Sequence, residues 1–269
     1  MNRIPVSVVI CARNEEARMA ACLTALKNFD EVIVVDSGST DNTVAVAQSL
    51  GAQVMPFSWD QQYPKKRQWC LDQLTLKHDW IFFVDADEIA TTALADEIRN
   101  IMAAPDCDGY FVDGLYVIDG RVLTHGIKNS KLVLFHRRQF RFPVVNDLDL
   151  PGMGEMEGHY QPVAVDAATI GRLKVPMLHY AYNSGESWQS RHQRYAQWEA
   201  GMNARHAWPV DPLPHRQRIK EIFRALPCRG LIAFAHSYIV KCGFMDGRAG
   251  FGLALDRYRY YVMVARSRQ

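Results

Sequence analysis

Two carboxylates separated by a single residue, Asp85 and Asp87 in the run FFVDADE from Phe82 to Glu88, are the sharpest chemical feature of this chain. They follow directly on apolar residues. Carboxylates two apart at the end of a buried strand can turn toward one point as the chain leaves a sheet, which suits a hard divalent cation shared with a diphosphate. The competing reading is a helix start, because acidic residues are common there and a helix is expected near Thr92. The apolar strand in front of the pair favours the metal reading.

A second feature is VVDSGSTDNT, Val34 to Thr43, in which Asp36 closes an apolar run and small polar residues lead toward a helix. A carboxylate there can accept hydrogen bonds from a ribose hydroxyl or a base N–H, and the helix N-terminus favours phosphate. Plain turn chemistry is the alternative, since Asp, Ser, Gly and Thr all favour turns. A nicotinamide-binding site is excluded, because CARNEE stands where a glycine-rich GxGxxG would have to follow the first strand.

The elements that must position these residues alternate. Val6–Cys11 reads as a strand, Glu15–Lys27 as a helix, and Val32–Val35 as a second strand. A helix from Asn42, with Asp41 as N-cap, ends at Gly51 before the strand Gln53–Phe57. Pro64 can open a third helix to about Lys77, and Trp80–Val84 is a strand buried on both faces. The fold class is therefore α/β, with a Rossmann-like, mostly parallel sheet and ligands expected at the carboxyl ends of its strands. Short segments at Gly109–Val112, Leu115–Ile118 and Lys131–Arg137 predict an antiparallel extension. The stretch Asn146–Gln161 reads as a long loop, functional or mobile. Strands at Val163–Val165 and Leu173–His179 follow, then a helical region: Glu186–His206, Pro214–Leu226, Gly230–Cys242 and Gly247–Arg266.

The segments VSVVICARNEEARMAACLTAL, EVIVVDSGSTDNTVAVAQSLGA, KKRQWCLDQL and DWIFFVDADE, in that order over residues 5–90, resemble the donor half of family 2 glycosyltransferases with the GT-A fold. The subgroup most similar is the lipopolysaccharide-core glucosyltransferase type, non-processive and with a basic C-terminal region. The likeness extends more weakly through GFMDGRAGF, residues 243–251. The absence of a QxxRW motif argues against a processive polymerase.

The resemblance implies an inverting, metal-dependent transfer from a nucleotide sugar to a lipid-linked or lipopolysaccharide glycan. It implies that Ala12, Arg13, Glu15, Asp36 and Ser37 hold the nucleoside, and that Lys65, Lys66 and above all Arg67 lie near the donor. Asp85 and Ala86 would contact the donor, and Asp87 would hold Mg²⁺ or Mn²⁺. A late histidine, His159 or preferably His179, could complete the metal shell. The general base would come from PGMGEMEGHY, as Glu157 in preference to Glu155, although Met156 stands where the related enzymes have His; Asp147 and Asp149 are next in line. The helix SWQSRHQRYAQWEA sets Trp188, Arg191, Tyr195 and Trp198 on about one face, for a sugar or lipid phosphate or for packing alone.

Charge adds a location. The formal net charge of +2 argues against a nucleic-acid partner, yet residues 215–269 hold 11 basic side chains against 3 acidic. Interleaved there are Leu231, Ile232, Phe234, Tyr238, Ile239, Phe244, Phe251, Tyr258, Tyr260 and Tyr261, a mixture suited to a membrane interface rich in anionic lipid. The expected organisation is a catalytic domain over residues 1–212, with a donor half (1–90) and an acceptor half (91–212), and a membrane-associated region over 213–269. No apolar run is long enough to span a bilayer and no secretory signal is visible, so the expected location is cytoplasmic, peripheral on the inner face of the cell membrane. Six cysteines without a CxxC pair, most in apolar surroundings, read as reduced and buried thiols. A sugar nucleotidyltransferase and a catalytically inactive sugar-binding protein are the rival readings.

Overall fold

The computed structural model describes residues 3–158, 160–182 and 188–267. They group into two compact units interleaved along the chain. One takes the chain as far as Leu115 with Asn129–Phe142 and Pro162–Tyr180; the other takes Tyr116–Lys128, Pro143–Gln161 and the chain from Ala181 onward. Compactness therefore does not follow a single cut at residue 212, because two mid-chain segments group with the C-terminal helices.

In the first unit, β1 (Ile4–Ala12), α1 (Glu16–Ala25), β2 (Phe29–Asp36), α2 (Thr43–Ser49), β3 (Gln53–Pro56), α3 (Lys66–Gln73) and β4 (Trp80–Asp85) alternate as expected. The β-branched run of β1 suits a central strand covered on both faces, and Val8, Val9 and Ile10 are completely buried. Burial of each contributes about 1.5–3 kcal/mol before its ordering cost. Strand β1 lies parallel between β2 and β4, with Ala12 opposite Asp36 and Cys11 opposite Asp85. That register brings the carboxyl ends of three strands to one edge. Helix α3 begins at Lys66 rather than Pro64.

Beyond β4, a two-residue strand β5 (Glu88–Ile89) precedes α4 (Thr92–Ala103), which Thr91 caps by accepting a hydrogen bond from the Leu94 N–H. The two segments expected around residues 109–118 are one strand, β6 (Gly109–Ile118), whose last residues pair with β7 (Arg121–Val122) in the second unit. The remaining strands are β8 (Asn129–His136), β9 (Phe140–Arg141), β10 (Val163–Ala164), β11 (Ile170–Arg172) and β12 (Met177–His179). The sheet runs β3-β2-β1-β4-β8-β6-β12-β5, parallel through β4 and antiparallel at β4–β8, β8–β6 and β12–β5. The expected strand over Leu173–His179 shrinks to β12, because the Leu173 N–H is bonded to the Phe111 carbonyl at the end of the β11–β6 pairing.

The second unit is built on α5 (Trp188–Arg205), α6 (Pro214–Ala225), α7 (Arg229–Ala235) and α8 (Gly247–Arg266). Helix α7 runs on into a π-helical turn at His236–Val240 rather than continuing as an α-helix to Cys242, and a 3₁₀ turn at Gly243–Asp246 leads into α8. Ala196 and Ala200 of α5 pack with Tyr260 and Val264 of α8 as a small core. Tyr260 thus serves the interior, where its hydroxyl donates to Glu199, which also pairs with Arg229. Within GFMDGRAGF, the Asp246 carboxylate accepts the His125 N–H at 2.8 Å, a structural tie. The six cysteines are free, but only Cys22 and Cys70 are buried; Cys228 is exposed, so the expectation of mostly buried thiols does not hold.

Candidate active site

Three strand ends and one long-range pairing assemble the site. Asp85 closes β4, Ala86 and Asp87 form the turn, and Glu88 opens β5. Strand β12 pairs antiparallel with β5, placing His179 opposite Glu88. The His179 Nε2 consequently lies 3.5 Å from Asp87 Oδ2, although the two residues are far apart in sequence. Asn129 meets the other ring nitrogen, Nδ1, at 3.2 Å and so orients the imidazole.

The two aspartates of the turn have different surroundings. Asp85 Oδ1 accepts from Arg67 at 2.8 Å and Oδ2 from Lys131 at 2.6 Å, so both of its oxygens are engaged by cations. Burial alone would raise its pKa, but Lys131 and Arg67 outweigh that and hold it far below the usual carboxylate range. Asp87 instead faces His179 and, at 3.7 Å, Arg18. Burial opposes its ionisation too, and the His179 hydrogen bond and charge lower its pKa overall. Glu88, completely buried, goes the other way: burial raises its pKa and the neighbouring Asp85 adds to that against the pull of Lys131.

A divalent cation fits the Asp87 and His179 pair. A hard carboxylate and a neutral imidazole suit Mn²⁺, and donor atoms 3.5 Å apart can share one ion with bonds of about 2.1 Å. No third His, Cys, Asp or Glu joins them among the described residues, so the other ligands would come from a diphosphate and water. An anion fits as well: Arg18 lies beside Asp87 through Nη1, and its Nη2 is buried without a hydrogen-bond partner among the described residues.

The remaining expected donor-site residues gather along the same strand ends. Ala12 is buried, and its carbonyl accepts from Lys66 Nζ at 3.3 Å and from the Ser37 N–H. Asp36 is also buried; its carboxylate accepts the Gly38 and Ser39 N–H groups and the Ser39 hydroxyl, so the turn chemistry is realised. The Glu15 N–H donates to Thr43 and its carboxylate accepts from Arg18, while Arg13 is exposed. Lys65 and Lys66 are only 1% and 2% exposed, although they stand at the start of α3. Sequence reasoning missed Lys131, Glu88, Arg18 and Asn129. Of these, only Glu88 and Arg18 adjoin a motif, and no local pattern marks Lys131.

In the second unit the acidic loop over residues 146–161 is held on α5 at Asp147, Asp149, Gly152 and Tyr160. Trp198, completely buried, donates to Asp147 and stacks on Tyr160, while Arg205 pairs with both oxygens of Asp149 at 2.6 Å. That Arg205 fork lowers the Asp149 pKa to about 2. Gly152 sits so close to α5 that a Cβ there would fall 2.2 Å from the Arg194 carbonyl oxygen. Glu157 is 2% exposed and Glu155 half-buried. His159 lies outside the described residues. The aromatic face of α5 is largely spent on packing: Trp188 stacks on His192, Tyr195 packs on the α5–α8 core, and Arg191 bonds the Ala181 carbonyl.

A mostly parallel, Rossmann-like sheet that ends in a paired-carboxylate turn, with an antiparallel extension behind it, is the GT-A class of α/β fold. The chain belongs to glycosyl transferase family 2, whose model matches residues 7–156. An uncharacterized glycosyltransferase of Rickettsia bellii is 42% identical over 106 residues, 39% of this chain and 35% of that protein. The lipopolysaccharide core biosynthesis glycosyltransferase LpsC of Rhizobium meliloti is 34% identical over 108 residues, 39% of each chain. These alignments therefore span little more than a third of the relatives' length. Among solved structures, glucosyl-3-phosphoglycerate synthase from Mycobacterium tuberculosis superposes with a TM-score of 0.47 at 18% identity, over 77% of this chain and 88% of that one. Residues 1–349 of TarS from S. aureus superpose with a TM-score of 0.46 at 15% identity, over 96% and 91%.

Proposed function

We propose that the protein is an inverting, metal-dependent glycosyltransferase that moves a sugar from a nucleotide-sugar donor to a lipid-linked or lipopolysaccharide glycan. The observation that carries the reading is the DADE turn itself: Asp87 faces His179 at 3.5 Å and Arg18 Nη1 at 3.7 Å, and the other terminal nitrogen of that guanidinium, Nη2, is buried without a hydrogen-bond partner among the described residues, a setting that suits a metal-bound diphosphate. Similarity to LpsC, named for lipopolysaccharide core biosynthesis, supports the acceptor class. In this reading Asp36, Ser37, Ala12, Arg13 and Glu15 line the nucleoside, Arg67, Asp85 and Ala86 adjoin the diphosphate and ribose, and Asp87 with His179 holds Mg²⁺ or Mn²⁺. A cation held there would supply positive charge to stabilise the departing diphosphate. Glu157, just past the end of the family match, takes the proton from the acceptor hydroxyl as its oxygen bonds the anomeric carbon; the bond to the diphosphate oxygen breaks and its electron pair leaves with the diphosphate.

The acceptor is reached at an anionic membrane surface on the cytoplasmic side. No helix among the described residues is long and apolar enough to cross a bilayer. Ile239, Val240, Phe244, Met245 and Phe251 are nonetheless exposed within one corner of the second unit, alongside exposed Lys241 and Arg248. Helix α6 buries no residue and exposes Ile219 and Ile222 beside Arg218. Apolar side chains flanked by cations fit the interfacial region of a bilayer.

The test is release of nucleotide from a panel of nucleotide sugars, with and without Mn²⁺, in the presence of lipopolysaccharide-core or lipid-linked acceptors. Metal-dependent release that needs the acceptor is expected. Transfer of a nucleotidyl group to a sugar phosphate would identify a nucleotidyltransferase instead, and binding without turnover an inactive sugar-binding protein. Co-sedimentation with anionic vesicles, weakened in Phe244→Asp and in Lys241→Glu with Arg248→Glu, is expected; undiminished binding by both variants would refute the membrane face.

A further inference from the structure

Lys131 enters the site from β8, a strand outside the donor half of the chain. Its Nζ lies 2.6 Å from Asp85 Oδ2 and 2.5 Å from Glu88 Oε1. The other Glu88 oxygen accepts the Asp85 N–H at 3.0 Å, and Arg67 takes the second Asp85 oxygen at 2.8 Å. Asp85 is thereby fixed at its main chain and at both carboxylate oxygens. Two of those three ties lead back to Lys131, one directly and one through Glu88.

A buried lysine–glutamate pair is a poor device for stability alone, because desolvating both ions consumes most of their attraction and an apolar pair of the same volume would do as well. Its location gives it another use. The turn sets Asp85, Asp87 and Glu88 within four residues, and the ligand it is read to accept brings further negative charge. A cation clamped beneath the turn holds Asp85 in one orientation while opposing repulsion among the three carboxylates.

We infer that Lys131 is a positioning residue for the donor, acting with Glu88 as a clamp on the Asp85 turn. The inference rests on the donor reading above and deepens it, by making donor affinity depend on an ion pair outside the motif. Lys131 does not itself react; it fixes the carboxylate that does the contacting.

The experiment measures binding of UDP, GDP and dTDP, each with Mn²⁺, by calorimetry on the full chain, together with thermal melts. Lys131→Met leaves Glu88 charged and buried without its partner, so that variant is expected to lose stability as well as affinity. The double variant Lys131→Met, Glu88→Gln removes both charges while keeping an oxygen for the Asp85 N–H, and is expected to recover most of the melting temperature. Its nucleotide Kd should still be raised at least tenfold, about 1.4 kcal/mol. A double variant that melts near the wild type and binds nucleotide within threefold of it overturns the inference, leaving Lys131 a structural residue only. Wild-type protein that binds none of the three nucleotides overturns the donor reading and this inference with it, an outcome distinct from failure of the clamp alone.

Discussion

Replacing Asp87 with Asn separates the chemistry of the site from the stability of the fold. The substitution keeps the size of the side chain and removes its charge, and its cost to folding can be worked from what Asp87 touches. His179 Nε2 is 3.5 Å away and Arg18 3.7 Å, and the side chains of Asp87, His179 and Arg18 are only 12–16% exposed. At an effective dielectric near 20, the Asp87–Arg18 unit pair at 3.7 Å gains roughly 4 kcal/mol, from which desolvation of both partners removes the larger part. A net loss of about 1–2 kcal/mol remains, or about 2–8 °C in melting temperature for a chain of this size. The apolar strand before the turn is untouched, so the protein should remain folded. Activity has no such cushion: without the carboxylate, His179 alone of the pair remains to hold the cation, and a fall in turnover of at least ~10³, about 4 kcal/mol of barrier, is expected. The assay is nucleotide release under an Mn²⁺ titration, with circular dichroism melts on the same samples. Turnover within tenfold of wild type at saturating Mn²⁺ would refute the metal assignment, and a collapse of the melt would show that the Asp87 contacts had been undervalued.

Glu157→Gln should abolish transfer while sparing nucleotide binding, since the amide keeps shape but cannot accept the proton; an inactive Glu155→Gln beside an active Glu157→Gln would move the base within the loop. Acid unfolding tests the cations around Asp85. Its folded pKa is depressed, so its contribution is present above the unfolded carboxylate pKa and is lost as pH falls through the folded value. Arg67→Met raises that folded value, and the acid-unfolding midpoint should move to higher pH; an unchanged midpoint would show that Arg67 contributes little. Gly152→Ala should cost at least ~2 kcal/mol, because its φ of +110° disfavours any side chain and the added Cβ would meet the Arg194 carbonyl; a melt within 2 °C of wild type, by the scaling above, would refute the close approach.

Much of the donor half was legible because its signals are local. The β-branched runs of β1, β2 and β4, the turn after Asp36 and the carboxylates of DADE all act through neighbours a few residues away, so spacing and side-chain type sufficed. Helix α8 matches its expected range for the same reason, from residue 247 to 266. Where reading failed, a distant partner had intervened. Leu173 is bonded to Phe111 rather than drawn into β12, and Lys131 reaches Asp85 from a strand that no local signal ties to the turn.

What the sequence by itself determined is the order of strands and helices, the position of the paired carboxylates at the end of the fourth strand, and membership of a family whose motifs lie in that half. What only the tertiary structure decided is which groups those carboxylates face. Asp85 meets Lys131 because β8 lies antiparallel beside β4, with Phe82 opposite Leu134. Asp87 meets His179 because β12 pairs with β5, with His179 opposite Glu88. The physical reason is that a sheet converts register into proximity: side chains alternate faces every residue, so a one-residue slip in either pairing would turn Lys131 or His179 away from the turn while leaving every local signal unchanged.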